Sequence, residues 1–146
     1  MAKRRAGGTK GLRFQCQGCG RCCHTRGEAG FVALKNEDQR RLAKHFGMTL
    51  AAFRKAYTAK LGELVHLKEE AGRSACILLV DGRCSAYAAR PLQCRTWPFW
   101  PEHLAPGAFD REVGSFCPGA GQGEAWDPQA VEMIVEVQRR ADRRKE

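Results

Sequence analysis

Between residues 36 and 61 the apolar positions recur at helical spacing. Leu42, Ala43 and Phe46 follow the acidic pair Glu37 and Asp38, which sits where a helix dipole favours negative charge. Asn36 is placed as an N-cap and Gly47 as the stop. Thr49 is positioned to cap a second helix, with Leu50, Phe53, Tyr57 and Leu61 along its apolar face. The linking "GMT" suggests a helical hairpin, and both stripes read as core. "FVAL" (31–34), "LVHLKEE" and "ACILLV" read as short strands, the last ending at an Asp81–Gly82 turn. Pro91 suits the first position of a short helical turn that carries Cys94. "WPFWP" cannot extend that turn, because each proline disfavours helical geometry in the residue before it. A last helix over about residues 128–142 starts with Asp127 as N-cap and Pro128 at N1, and aligns Ala130, Ile134, Val137 and Ala141 on one face.

These elements predict an α+β fold. The expectation is a small single domain with short helices and few strands organised around a cysteine-rich metal centre, closed by a C-terminal helix. The 146 residues fit one domain of ordinary size, large enough to bury a core without staples. "GAGQG" (119–123) invites a nucleotide-binding label but lacks the preceding apolar strand and the later acidic residue of such a unit. It reads as a flexible turn.

The net charge of +9 is concentrated at the ends. Lys3, Arg4, Arg5, Lys10 and Arg13 occur with no acid among residues 1–13. Arg139, Arg140, Arg143, Arg144 and Lys145 face only Asp142 and Glu146. The division that follows is a disordered basic arm over 1–13, a cysteine-cluster domain over 14–138 and a basic tail over 139–146. Such ends suit nucleic acid or an acidic protein partner. Plain solvation is favoured, because no aromatic residue is interleaved as a single-strand binder requires. No apolar segment follows the basic start, and the longest apolar run, "ACILLV", is far short of a membrane span. The expectation is a cytoplasmic protein without a membrane partner.

In a reducing compartment eight cysteines point to metal rather than to disulfides. Cys16, Cys19, Cys22 and Cys23 form C-x2-C-x2-C-C, and Cys76, Cys84, Cys94 and Cys117 follow. Two-residue gaps let a loop direct successive thiolates to one centre, in zinc knuckles and iron–sulfur loops alike. Cys22 and Cys23 point opposite ways if extended. The first three thiols therefore read as one loop around a metal, with Cys23 recruiting a distant cysteine. Eight ligands make two sets of four, enough for two cubane clusters or two structural zinc sites. A 4Fe-4S cluster is favoured, with zinc as the alternative.

"RPLQCRTWPFW" surrounds Cys94 with cations and aromatics. Arg90 and Arg95 are candidate donors to a thiolate centre, and Trp97, beside Phe99 and Trp100, is a candidate water-excluding wall. Among the histidines, His24 adjoins the first thiol group and has a claim as a ligand. His45 reads as a helix-end residue, and His66 and His103 lack supporting neighbours. A nucleophilic cysteine beside His24 finds no third orienting group, so no catalytic residue is named.

Taken together, "CQGCGRCC", "CILLVDGRCSAYAARPLQCRTWPFW" and "CPGAGQG" resemble the YkgJ-type cysteine-cluster family, zinc- or iron-chelating domains with a CxxCxxCC signature. The resemblance runs from about Phe14 to Gly123 and implies that all eight cysteines are metal ligands. It also implies a distant link to flagellin lysine-N-methylases, which carry a related cysteine domain. The functional expectation is a metal-binding protein with a redox or metal-handling role. Alternatives are a zinc-stabilised interaction module and a component of a lysine methylase-like enzyme.

Overall fold

The computed structural model describes residues 11–20, 22, 32–69 and 75–143. These residues build an α+β protein of short helices and two-stranded antiparallel pairs. They pack as two compact units: a central unit of Cys22, 32–69 and 75–95, and a terminal unit of 11–20 and 96–143.

In the central unit, helix α1 spans Asn36–His45. Asn36 is its first residue rather than its cap, which is Lys35. The Asp38 carboxylate reaches back to accept the Lys35 amide at 2.9 Å, so the acid supplies the capping expected of Asn36. At the other end Gly47 (φ 66°) takes the left-handed turn, donating to Lys44 while Met48 donates to Ala43. Thr49 caps helix α2, Leu50–Tyr57, by accepting the Ala52 amide at 3.1 Å. Phe53 is fully buried, worth about 3 kcal/mol by area, and Tyr57 stacks on Phe46 and Phe53.

Leu61 was expected on α2 but lies in strand β2 (Thr58–Leu61), 57% exposed. β2 pairs with β3 (Leu64–Leu67) in a hairpin. Helical periodicity runs on through Tyr57, but Thr58 already has extended geometry (φ −121°, ψ 156°). The expected strand over 31–34 is reduced to a bridge between Ala33 and His66, with Leu34 and Leu67 donating to Val65 and Val32. Phe31 lies outside the described residues. "ACILLV" yields only β4, Leu79–Val80, which pairs with β5, Arg83–Cys84. Asp81 and Gly82, both at positive φ, make the predicted tight turn between them. A 3₁₀ turn, Tyr87–Ala89, then leads to helix α3, Leu92–Thr96. The core gathers Leu34, Leu42, Phe53, Leu67, Leu78 and Ala89.

In the terminal unit β1 (Arg13–Phe14) pairs with β6 (Ala120–Ala125). Arg13, expected in the disordered basic arm, thus lies in a strand. Leu12 is buried, its carbonyl accepts from the Trp126 amide, and Arg13 Nε donates to the Gly123 carbonyl. Residues 1–10 lie outside the described residues. The "GAGQG" stretch is not a loose turn, since most of it is β6. A β-carbon on Gly119 would collide with the Gln15 carbonyl oxygen, so glycine here permits a close backbone approach.

Helix α4 spans Pro128–Arg143, one residue past its expected end. Its buried face is Val131, Val135, Gln138 and Ala141, while Val137 is 47% exposed. The expected stripe is thus displaced toward Val131 and Val135. Apolar residues occur at 130, 131, 133, 134, 135 and 137, so periodicity alone admits either face. Part of the basic tail belongs to this helix: Arg139, Arg140 and Arg143 all pair with Glu136. Among the described residues, no helix is long and apolar enough to cross a membrane.

Candidate metal centre

The hairpin Leu79–Val80/Arg83–Cys84 positions two of the cysteines. Leu79 is the cross-strand partner of Cys84, and its amide donates to the Cys76 carbonyl at 2.9 Å. One residue thus links Cys76 and Cys84 at the open end of a tight hairpin. Ser85 reinforces this end, donating from both its amide and its hydroxyl to the Leu78 carbonyl, each at 2.7 Å. Both cysteines pack against the central core beside Leu78, Ala86 and Ala89.

Cys94 lies in α3, whose first turn is fixed by the Pro91 carbonyl accepting from Cys94 and Arg95. Helix α1 pins this turn from outside. Asp38 accepts the Leu92 amide at 2.9 Å, Arg41 donates to the Arg90 carbonyl at 2.9 Å, and the Gln93 side chain accepts the Ala33 amide. Burial pushes the Cys94 thiol far above its ordinary range, and nearby charge on Cys76, Cys22 and Cys84 pushes it further, against a downward pull from Arg90. Burial also raises the Cys84 thiol, opposed by the Ala86 amide and by Arg90, and Cys22 raises it again. Cys22, Cys76, Cys84 and Cys94 are therefore electrostatic neighbours in the central unit.

Cys16, Cys19 and Cys117 belong to the terminal unit. The Gln15 amide donates to the Gly119 carbonyl at 3.0 Å, which aligns the segments leading to Cys16 and away from Cys117. Cys117 packs against the terminal core, as does Trp97. Cys22 is the first residue of the central unit. Cys23 and His24 lie outside the described residues.

Three cysteines share a local feature. The Gly18 amide donates to Cys16 Sγ at 3.4 Å, the Leu78 amide to Cys76 Sγ at 3.5 Å, and the Ala86 amide to Cys84. In each case the donor lies two residues downstream. Amide donors stabilise a sulfur that carries negative charge, as in a metal-bound thiolate. The seven described cysteines are thiols and not disulfides. Soft sulfur donors of this kind suit zinc and iron. Among the described residues, no three of His, Cys, Asp and Glu are drawn together closely enough to hold an ion as they stand.

The flanking candidates separate. Arg90 lies with its guanidinium 3.9 Å from the centre of the Tyr87 ring, donates to the Tyr87 carbonyl, and pulls both neighbouring thiols down. Arg95 instead donates to the Arg90 carbonyl, and burial followed by the charge of Arg41 lowers its own pKa. Trp97 packs edge-on to Trp100, His103 and Phe116 in the terminal unit. Its buried indole N–H has no acceptor among the described residues. Phe99 is a core residue.

The histidines are more engaged than their sequence context indicated. His66 and His103 are buried and bond the Leu67 and Pro98 carbonyls, and His45 bonds the Ser85 carbonyl. Sequence reasoning missed Asp38, Arg41 and Gln93, which hold α3 in place. Asp38 was read only as a first-turn acid, and nothing local signals that its partner is Leu92.

No solved structure matches the chain. A family model described as "CxxCxxCC: Putative zinc- or iron-chelating domain" matches residues 15–118, which takes in all eight cysteines. The chain belongs to that family.

Proposed function

We propose that this chain binds an iron–sulfur cluster through its cysteines and serves a redox or metal-handling role. The observation that carries this reading is the repeated amide-to-sulfur hydrogen bond at Cys16, Cys76 and Cys84. A neutral thiol is a weak acceptor and gains little from such a donor, whereas a metal-bound thiolate gains a charge-assisted bond. Four thiolates hold such a cluster, and they are drawn from Cys16, Cys19, Cys22, Cys23, Cys76, Cys84, Cys94 and Cys117. Arg90 supports anionic sulfur by its charge, and amides aimed at sulfur are among the features that set a cluster's potential. A bound cluster supplies one-electron transfer. The chain's own residues hold the sulfurs and donate to them.

Zinc is the second reading, favoured by the hairpin that ties Cys76 to Cys84 with an amide on each sulfur. Four thiolates held by tight turns are also a structural zinc site. The interaction-module reading gains less support, since Arg139, Arg140 and Arg143 are engaged with Glu136 on their own helix. Purification without oxygen, followed by metal and sulfide analysis and a visible spectrum, separates the two metals. Iron with acid-labile sulfide and visible charge-transfer bands is the expected result. Stoichiometric zinc in a colourless protein overturns the cluster in favour of zinc. A protein that holds neither metal after anaerobic supply of both overturns the chelation reading altogether.

A further inference from the structure

We propose that the face formed by helices α1 and α2 in the central unit binds the phosphate backbone of duplex nucleic acid. This activity is separate from metal chelation and uses other residues. Away from the basic ends of the chain, charge divides by unit. The described residues of the central unit hold eleven Lys and Arg against five Asp and Glu, a net +6. Those of the terminal unit hold five against eight, a net −3.

The cations of the central unit gather where the two helices meet. Arg40 and Lys44 are exposed and lie one turn apart on α1. Arg54 of α2 is also exposed, and its Nε donates to the Gln39 side chain at 2.7 Å, beside the residue that precedes Arg40. Lys55 comes next, and Lys68 Nζ donates to the Lys55 carbonyl at 2.7 Å, so the chain just past β3 adds a fifth cation. Among the described residues, none of these five is ion-paired. Arg54 and Lys68 bond neutral groups, which leave their charge in place. The acids close by in sequence are Asp38, buried and engaged with Arg41, and the exposed Glu37 and Glu69. The arginines of α4, by contrast, share Glu136.

The rest of this surface selects the partner. A protein interface is anchored by apolar or aromatic side chains, and a helix lying on a membrane needs an apolar face. The large exposed apolar residues among those described are Leu61, Leu64, Val80, Tyr87, Met133 and Val137, and none of them lies on α1 or α2. Among its cations α2 exposes only Ala51, Ala52 and Ala56. A phosphate backbone asks for cations and no anchors. With no exposed aromatic ring on these helices, unpaired bases have nothing to stack on, which favours a duplex over a single strand.

The test uses the full-length protein as purified and a short fluorescent duplex, with binding read by anisotropy as salt rises. Five phosphate contacts give a log–log slope of affinity against salt of about −4, a loss of roughly 500-fold between about 50 and 200 mM. Three variants, each lacking three positive charges, separate the place of the charge from its total. They are Arg40→Gln/Lys44→Gln/Lys55→Gln, Lys3→Gln/Arg4→Gln/Arg5→Gln and Arg139→Gln/Arg140→Gln/Arg143→Gln. The first is expected to bind at least about tenfold more weakly, with a slope shallower by about three, and the other two to stay within about threefold of wild type. Arg40→Lys/Lys44→Arg/Lys55→Arg keeps the charge and should bind like wild type; a loss there as large as in the glutamine variant overturns the proposal. Equal losses in the three neutralised variants, or a larger loss in either of the end variants, also overturn it. So does wild-type protein that ignores the duplex at about 50 mM salt, or that prefers a single strand, polyglutamate or phosphatidylserine vesicles at matched charge.

Discussion

The Asp38 carboxylate accepts the Leu92 amide at 2.9 Å across a sequence separation of 54. The same carboxylate takes the Lys35 amide and the Arg41 guanidinium, and its side chain is only 3% exposed. It joins the start of α1 to the helix that carries Cys94. Asp38→Ala strands two amides and a cation, and is expected to destabilise the metal-free fold by about 3 kcal/mol. Asp38→Asn keeps an acceptor and should lose roughly half as much. Urea unfolding of both variants measures the difference. Zinc retention against a chelator should fall in the same order, because α3 loses its anchor.

The Cys94 and Cys84 thiols are raised mainly by burial, so protons compete with metal at neutral pH. Each thiol still protonated adds one decade of metal affinity per pH unit. Zinc titrations between pH 6 and pH 8 should therefore tighten steeply with rising pH. The sign for folding is opposite. Both states hold these protons below the ordinary thiol value of about 8.5, so the metal-free fold has its full stability there. Above that value the unfolded chain ionises first, and stability falls until the raised folded values are reached. Denaturation midpoints that rise between pH 8 and pH 10 would contradict the raised thiols.

Arg90 lowers both thiols, whereas Arg95 spends its donor on the Arg90 carbonyl. Arg90→Gln should weaken zinc binding at neutral pH, because the thiolates lose a nearby positive charge. Arg90→Lys should recover part of it, and Arg95→Gln should change it little. Competition titrations with a chromophoric chelator read all three. Equal effects at 90 and 95 would remove Arg90 from the site.

Thr96 donates to the buried Gln138 side chain at 2.7 Å and accepts from the Trp100 indole at 3.0 Å. Thr96→Val keeps the shape and leaves both partners without this bond. A loss of about 1–3 kcal/mol is expected. Thr96→Ser, which retains the hydroxyl, should lose less than the valine variant in the same unfolding assay.

Local signals in the sequence were enough for the elements whose causes are local. Thr49 caps α2, Gly47 stops α1, and Asp81–Gly82 turns the β4–β5 hairpin, because each depends on a residue and its near neighbours. The helix bearing Cys94 and its end before "WPFWP" were legible for the same reason. The buried face of α4 was not, since apolar residues surround that helix and packing chooses among them. Nor was the strand over 120–125, where glycines signalled looseness but serve close approach to Gln15. At the candidate centre the eight thiols were visible in the spacing. Their partners were not: Asp38 to Leu92 and Arg41 to Arg90 are long-range contacts with no local signature.

Gly119 offers the most direct test of the terminal set. Its carbonyl accepts the Gln15 amide, and an added β-carbon would meet the Gln15 carbonyl oxygen and carbon and the Phe14 ring. Two of those atoms are backbone and cannot rotate away. Gly119→Ala must therefore push β1 from β6, at a cost of about 1–3 kcal/mol. Gly114→Ala is the control, because the nearest atom there is the Phe109 carbonyl oxygen at an ordinary 3.8 Å. Separation of the strands also frees the segments beside Cys16 and Cys117. Alkylation of these two thiols in metal-free protein should accelerate in Gly119→Ala, while Cys84 and Cys94 keep their rates. If the variant matches Gly114→Ala in stability and Cys16 and Cys117 react no faster, the β1–β6 pairing does not hold these two cysteines in place.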